Sequence, residues 1–197
     1  MPKIKFISLV LMVFFGLGAD LSFGAGLVTF GPKETSIKGS IKYSVIGRYN
    51  AQFSSFRGKV AVDEAAHTIR SVYLEIDAAS IASDCQWCDK IVRSRQLLDT
   101  GKHPRVIFTS DEIVKNGLDY TVKGSLELHG VKRQVSFPFH ARILEGADPQ
   151  QKILDIKGDW QISRKDFKII WNPILDQGGI LVGNYISVDW GIRAGIK

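Results

Sequence analysis

Cys85 and Cys88, in the stretch Ser83-Asp84-Cys85-Gln86-Trp87-Cys88-Asp89-Lys90, are the only cysteines of the 197-residue chain. Two thiols three residues apart can be a redox couple, half of a metal site or a short covalent staple. Covalent haem attachment needs a histidine directly after the second cysteine, and Asp89 stands there. A structural zinc needs two further ligands to complete its tetrahedron. There is no second cysteine pair, and His67, His103, His129 and His140 are scattered singly along the chain, so no metal is assigned. A thioredoxin-like couple belongs to a strand-helix setting in a parallel sheet, and nothing in the chain is patterned that way. In an oxidising, exported setting two thiols this close are expected to form a local disulfide. A place at a helix N-terminus lowers a thiolate pKa, which keeps a redox-responsive pair open as an alternative.

Other reactive constellations are missing. No serine lies in a Gly-x-Ser-x-Gly elbow, no two histidines have metal-ligand spacing, and most of the acidic residues fall on the polar faces of strand-like runs. We assign no reaction and no cofactor, and expect a binding protein that is not an enzyme.

The elements that carry these residues are read from alternation. From Leu118 to Leu128, Leu118, Tyr120, Val122, Gly124, Leu126 and Leu128 share one face, and Asp119, Thr121, Lys123, Ser125 and Glu127 the other. Period two means a strand with one dry and one wet side. The next run places Val131, Val135, Phe137, Phe139, Ala141 and Ile143 on its dry side, with Arg133 as the exception near its start. Only His129 and Gly130 separate the two runs, which predicts a hairpin with a tight turn. Further strands are expected at Ile153–Ile162, with Trp160 on its apolar face, and at Ile180–Trp190, with Ile180, Val182, Ile186, Val188 and Trp190 on its apolar face. Earlier runs at Ser36–Gln52, Phe56–Asp63, Thr68–Asp77 and Pro104–Ile113 bring the count to about eight. One stretch, Ser80–Leu98, has helical spacing through Ile91, Val92, Arg95 and Leu98, with Asp84 as the expected cap. The cysteines then fall in the first turn of a short helical connection around residues 85–98.

One-sided antiparallel strands with few helices to cover them must close on themselves or pack as two sheets. About eight strands make a barrel just wide enough to be filled by side chains or to hold one small ligand. The fold class expected is therefore all-β, an antiparallel eight-stranded barrel. An outer-membrane barrel would be apolar outside and polar within. The wet faces here carry Lys123, Glu127, Lys132, Arg142, Asp155, Lys157 and Asp159, too much charge for so narrow a lumen, so the soluble barrel is preferred.

Residues 1–24 read as a secretory signal peptide: Lys3 and Lys5, an apolar run from Phe6 to Leu17, then small residues around Ser22, Gly24 and Ala25. The apolar run is about half of the ~20 residues that span a bilayer. Cleavage near Gly24–Ala25 would leave one domain, 25–197, in the periplasm or secreted. Loss of Lys3, Lys5 and Asp20 takes the net charge from +6 to +5. That mild excess suits an anionic headgroup or a membrane surface and falls short of a nucleic-acid footprint.

Several segments, in order along the chain, resemble the YceI-like family of exported, lipocalin-like polyisoprenoid-binding proteins. The hairpin Val122–Phe137 resembles its Val-x-Gly-x-Leu-x-x-x-Gly-Val-x-x-x-Val pattern. Asp89, Ser94, Leu97, Leu98, Asp99, Pro104, Phe108 and Ser110 are similar to its upstream motif, and Gly158, Ile162, Arg164, Asp166 and Phe167 to its downstream one. The segment from Gly47 to Asp63 is similar to its first hairpin, and Val182–Trp190 to its last strand. The resemblance implies an eight-stranded lipocalin-like barrel that encloses a long isoprenoid or fatty chain, polar head toward the mouth. The chain departs from the family where many members have histidine in the first strand and Arg-Asp-x-His before the serine. Here Ser36–Ser44 reads SIKGSIKYS and the later place is Cys88-Asp89-Lys90-Ile91.

The dry faces nominate Phe108, Leu126, Phe137, Phe139, Trp160, Val182 and Ile186 as barrel lining, and Arg164, Lys165 and Arg95 as cations for an anionic head. The function expected is binding of a long-chain isoprenoid, a quinone-like lipid or a fatty chain, for carriage, sequestration or a stress response. Its partners would be that lipid, a membrane surface in transient contact and a second copy of the chain, but no nucleic acid. The alternatives are a redox-responsive protein using Cys85 and Cys88, or a barrel that only scaffolds surface interactions.

Overall fold

Alternating apolar residues can be buried on one face only if the strands that carry them pair side by side and curl around that face. The computed structural model describes residues 25–43, 47–146, 148, 151–171 and 182–196 and shows this arrangement. The segment read as a signal peptide, 1–24, and the expected lining position Ile180 lie outside the described residues.

The strands are β1 (Ala25–Phe30), β2 (Thr35–Tyr43), β3 (Gly47–Phe53), β4 (Phe56–Asp63), β5 (Thr68–Asp77) and β6 (Ile81–Ala82), then, after helix α1 (Gln86–Arg93), β7 (Arg105–Asn116), β8 (Asp119–Leu128), β9 (Val131–Glu145), β10 (Lys152–Ser163) and β11 (Val182–Gly195). Short 3-10 turns lie at Ala78–Ser80 and Arg164–Phe167. All eleven strands join one antiparallel sheet in the order β1-β4-β5-β7-β8-β9-β10-β11-β2-β3-β6. The connection between β3 and β4 requires the sheet to curl. Those strands stand eight places apart in the order, ~38 Å in a flat sheet at ~4.8 Å per strand. Ser54 and Ser55 alone connect them, a link that reaches ~11 Å at most. Beside that link Ser54 N–H donates to Ser80 O and Asp77 N–H to Ser55 O, and the curled sheet stays open-ended, with β1 and β6 at its edges.

The expected all-β antiparallel fold is present, with eleven strands where eight were expected. The run Ser36–Gln52 folds back on itself as β2 and β3, which pair from Lys38↔Gln52 to Tyr43↔Gly47; its alternation continued through the reversal. β1 precedes the first expected run, and β6 has two residues, too few to show a period. The β8–β9 hairpin is as expected. His129 and Gly130 both have positive φ (52° and 68°), the backbone that a two-residue hairpin turn requires.

The burial pattern follows the parity of the strands. Tyr120, Val122, Leu126, Leu128, Phe137, Phe139 and Ala141 are buried, as are Leu154 and Ile156 of β10 and Ile192 of β11. Four residues depart from the expected faces, and two of them, Ser125 and Asp155, were expected on the wet side and are buried. Leu118 sits in the β7–β8 turn and is exposed, and Arg133, though in phase with the dry side, is exposed and donates from Nε to Asp166 O (3.1 Å). The helix is shorter than the Ser80–Leu98 stretch that suggested it. Its cap is Cys85, whose Sγ accepts from Cys88 N–H at 3.2 Å, in place of Asp84. Among the described residues no helix is long and apolar enough to cross a membrane.

Candidate functional site

Inside the curl the inner faces leave a cavity of about 240 Å³ lined almost wholly by apolar side chains. All seven residues nominated as lining, Phe108, Leu126, Phe137, Phe139, Trp160, Val182 and Ile186, border it. Their positions follow from register: Phe108 of β7 lies opposite Leu126 of β8, Val122 of β8 opposite Phe137 of β9, and Ile162 of β10 opposite Ile186 of β11. Phe137 stacks on Trp160 (ring centroids 4.7 Å) and leans on Phe108 (5.3 Å). Phe139 stacks on Tyr120 (5.0 Å), and Trp190 stands near both phenylalanines, 6.2 Å from Phe137 and 5.9 Å from Phe139. Gly158, opposite Trp190 in the ladder, makes room for the indole: a Cβ there would lie 2.6 Å from the ring.

Strands β2, β3 and β5 add residues such as Ile37, Phe53 and Leu74, and a further part of the lining comes from the connection between β5 and β7. Ile81, Val92, Leu97 and Leu98 face the cavity from it. The short helix can hold them because Asp89, buried beneath it, gathers three donors. Tyr49 Oη donates to Asp89 Oδ1 at 2.7 Å, Ser83 Oγ to Oδ1 at 2.6 Å and Ser83 N–H to Oδ2 at 3.1 Å. Burial works against the Asp89 charge, but the bonds from Ser83 and Tyr49, with Arg93 nearby, hold its carboxyl below the usual carboxylate range. Burial, and then the bond to Asp89, push the Tyr49 hydroxyl well above the usual phenol range, so it stays a neutral donor. Arg93 also donates to Ile81 O, and Ser94 Oγ to Ile91 O at 2.7 Å. Cys85 and Cys88 are joined in a disulfide across the first turn of α1.

The three nominated cations separate. Arg164 borders the cavity and is fully buried. Its guanidinium donates to Gly183 O (2.7 Å), Ile169 O (2.6 Å), Trp171 O (2.9 Å) and Val182 O (3.2 Å). Burial lowers its pKa, and it ties the segment after β10 to the start of β11. Lys165 and Arg95 are exposed and stand outside the lining. Sequence reasoning missed the polar groups that do border the cavity, among them Tyr49 and Thr35. The Thr35 hydroxyl is buried with no hydrogen-bond partner among the described residues. The parity of Tyr49, Ala51 and Phe53 on β3 was the available signal for Tyr49.

The histidines are not all solitary. His103 and His129 meet edge to face with ring centroids 4.9 Å apart. His140 pairs with Asp119 on the surface. In the β4–β5 turn the carbonyl of His67 accepts from Lys115 Nζ (2.8 Å) and Tyr120 Oη (3.3 Å).

A family model described as the YceI-like domain matches residues 29–194. A UPF0312 protein of Pectobacterium atrosepticum is 34% identical over 119 residues, and the protein YceI of Escherichia coli O17:K52:H18 is 32% identical over 119. Each alignment covers 59% of this chain and 61% of the relative, about three fifths of the relatives' length. Among solved structures, BcnA of Burkholderia cenocepacia superposes with a TM-score of 0.70 at 21% identity, covering 81% of this chain and 96% of that one. A polyisoprenoid-binding domain from Saccharophagus degradans, implicated in plant cell wall breakdown, superposes with a TM-score of 0.63 at 13% identity, covering 89% and 99%. At these identities the structural likeness is one of fold.

Proposed function

The chain belongs to the YceI-like family, and from that premise we propose that it is an exported, non-catalytic binding protein whose curled sheet encloses a long apolar chain: a polyisoprenoid, a quinone-like lipid or a fatty chain. The observation that carries this reading is the cavity, lined by aromatic and aliphatic side chains from the sheet strands and from the β5–β7 connection. The name of the Saccharophagus domain, which shares the fold, points the same way. Each methylene moved from water into such a lining contributes ~0.8 kcal/mol, so a long chain needs few polar contacts to be held. Phe108, Leu126, Phe137, Phe139, Trp160, Val182 and Ile186 form the contact surface in this reading. Of the three nominated cations Arg164 alone borders the cavity, and its guanidinium is already committed to four backbone carbonyls, so this reading rests on the apolar lining and assigns no cation to a polar head. Carriage or sequestration in the periplasm or outside the cell follows from the signal-peptide reading of residues 1–24.

The test is native mass spectrometry of the protein from an exported fraction, followed by organic extraction. An adduct of several hundred daltons, released as a polyprenyl, quinone or acyl species, is the expected result and would identify the cargo. A bare protein mass that takes up none of these lipids when they are added would overturn the reading.

A further inference from the structure

Asp99, His103 and His129 come together at a place where neither the cavity nor the disulfide uses them. Asp99 and His129 have left-handed backbone (φ 45° and 52°), a conformation that costs a non-glycine residue free energy and persists only where the surroundings impose it. The turn after α1 is closed on Asp99 itself, whose carbonyl accepts from Lys102 N–H (2.9 Å) and His103 N–H (2.8 Å). The β8–β9 turn brings up His129, and Gly130 beside it leaves room for the His103 ring, into which a Cβ would run. One ligand atom from each of the three side chains lies within 4.8 Å of the other two, and all three residues are half-buried.

The His129 ring is already oriented. Its Nδ1 lies 3.1 Å from Phe167 O. A carbonyl only accepts, so Nδ1 carries the proton and the lone pair of the neutral ring is on Nε2. A backbone carbonyl holding the second nitrogen is the usual support of a metal-ligating histidine. From this geometry we propose that Asp99, His103 and His129 bind a divalent transition-metal ion of the zinc class, with the remaining position left to solvent. Two imidazoles and one carboxylate suit zinc, cobalt, nickel or copper(II), whereas calcium and magnesium ask for oxygen ligands throughout. Metal–ligand lengths of ~2.0–2.1 Å place tetrahedral donors ~3.3 Å apart, so the side chains must close by at most ~1.5 Å, within reach of small χ rotations.

None of the three residues lines the cavity, but their neighbours Leu98 and Leu128 do. A bound ion would tie the connection after α1 to the β8–β9 turn at the cavity's edge. The site stands whether or not the cavity holds a lipid.

The test is titration of tag-free, full-length protein with zinc chloride by calorimetry, with cobalt absorption as a second probe of the same site. One ion per chain is expected. His103→Ala and His129→Ala should each weaken binding by more than the ~10–100-fold that loss of an outer-shell partner costs, and His67→Ala and His140→Ala should bind as the parent does. Long-range imidazole nitrogen spectra of the unaltered protein decide the matter even if a variant fails to fold. Zinc should move the ring nitrogens of His103 and His129 and leave those of His67 and His140 in place. No stoichiometric binding, or shifts spread over all four histidines, would overturn the proposal.

Discussion

Two parts of the cavity wall, the ladder strands and the β5–β7 connection, are built by different physics. Along β7 to β11 the backbone is satisfied by ladder pairing, and the side chains need only keep parity, so stability comes from apolar area and aromatic contact. From Ala78 to Pro104 only the two-residue strand β6 joins the sheet, and the backbone is satisfied piece by piece. Asp77 Oδ1 accepts from Ala79 N–H (3.0 Å), Asp89 fixes Ser83 and Tyr49, Arg93 reaches Ile81 O, and the carbonyls of Arg93 and Ser94 close the turn after α1. The ladder wall is redundant, whereas the connection depends on a few polar groups. The expectation is that damage to the wall costs most in global stability, and damage to the connection costs less overall but acts locally on the cavity.

The largest effect should come from Phe139→Ala. Phe139 is buried, stacks on Tyr120 and lies near Trp190. Truncating a buried aromatic costs ~3–5 kcal/mol through lost transfer energy and the void it leaves. Urea unfolding should show that loss with an unchanged slope, since the surface exposed on unfolding is nearly the same. A loss under ~1 kcal/mol would mean that the ladder wall is not the stabilising part.

Asp89→Ala should cost less, ~1–3 kcal/mol, by removing an ionised acceptor from half-buried donors. It differs from the first change in where it acts: amide exchange should rise over residues 81–98 and stay protected in β8 and β9. Uniform loss of protection would erase the proposed contrast between the ladder strands and the connection.

The same carboxylate makes the connection acid-sensitive. Its folded pKa lies below the ~3.9 of an unfolded aspartate, so its contribution is complete above about pH 4 and is lost as the pH falls through the folded value. Glu75, lowered by the Tyr73 hydroxyl and by Arg57, and Asp63, lowered by Ala66 N–H and Arg70, add to the same acid limb from the ladder side. Asp89→Asn should therefore flatten the fall of stability below about pH 4 without abolishing it. An unchanged acid limb would put the whole of it on the surface pairs.

The contrast also explains what could be read before any coordinates. Parity alone placed Phe108, Leu126, Phe137, Phe139, Trp160, Val182 and Ile186 on the inner face, because a period of two is a local property that ladder pairing preserves. Asp89 with Tyr49, and His103 with His129, could not be read that way. Each pair is made by the curling of the sheet, which brings β3 against the helical connection and the β8–β9 turn against the turn after α1. Left-handed backbone at Asp99 and His129, which no pattern of hydrophobicity encodes, completes the second meeting. Arg164 was nominated for its charge, yet burial commits its guanidinium to four carbonyls around the start of β11.

The smallest effect should be reduction of the Cys85–Cys88 disulfide. The loop it closes is a single helical turn, and cross-linking so few residues removes little entropy from the unfolded chain, ~2 kcal/mol at most. Asp89, one residue beyond Cys88, stays hydrogen-bonded to Ser83 and Tyr49 whether or not the bridge is present. Thermal melts of the parent with and without reductant, and of a Cys85→Ser/Cys88→Ser double variant, should therefore differ by a few degrees, with apolar-probe uptake by the cavity unchanged. A larger fall, or altered uptake on reduction alone, would make the bridge a control on the cavity wall and favour the redox-responsive reading of the pair, because the Asp89 bonds would then be insufficient to hold Val92 and Leu98 against the cavity.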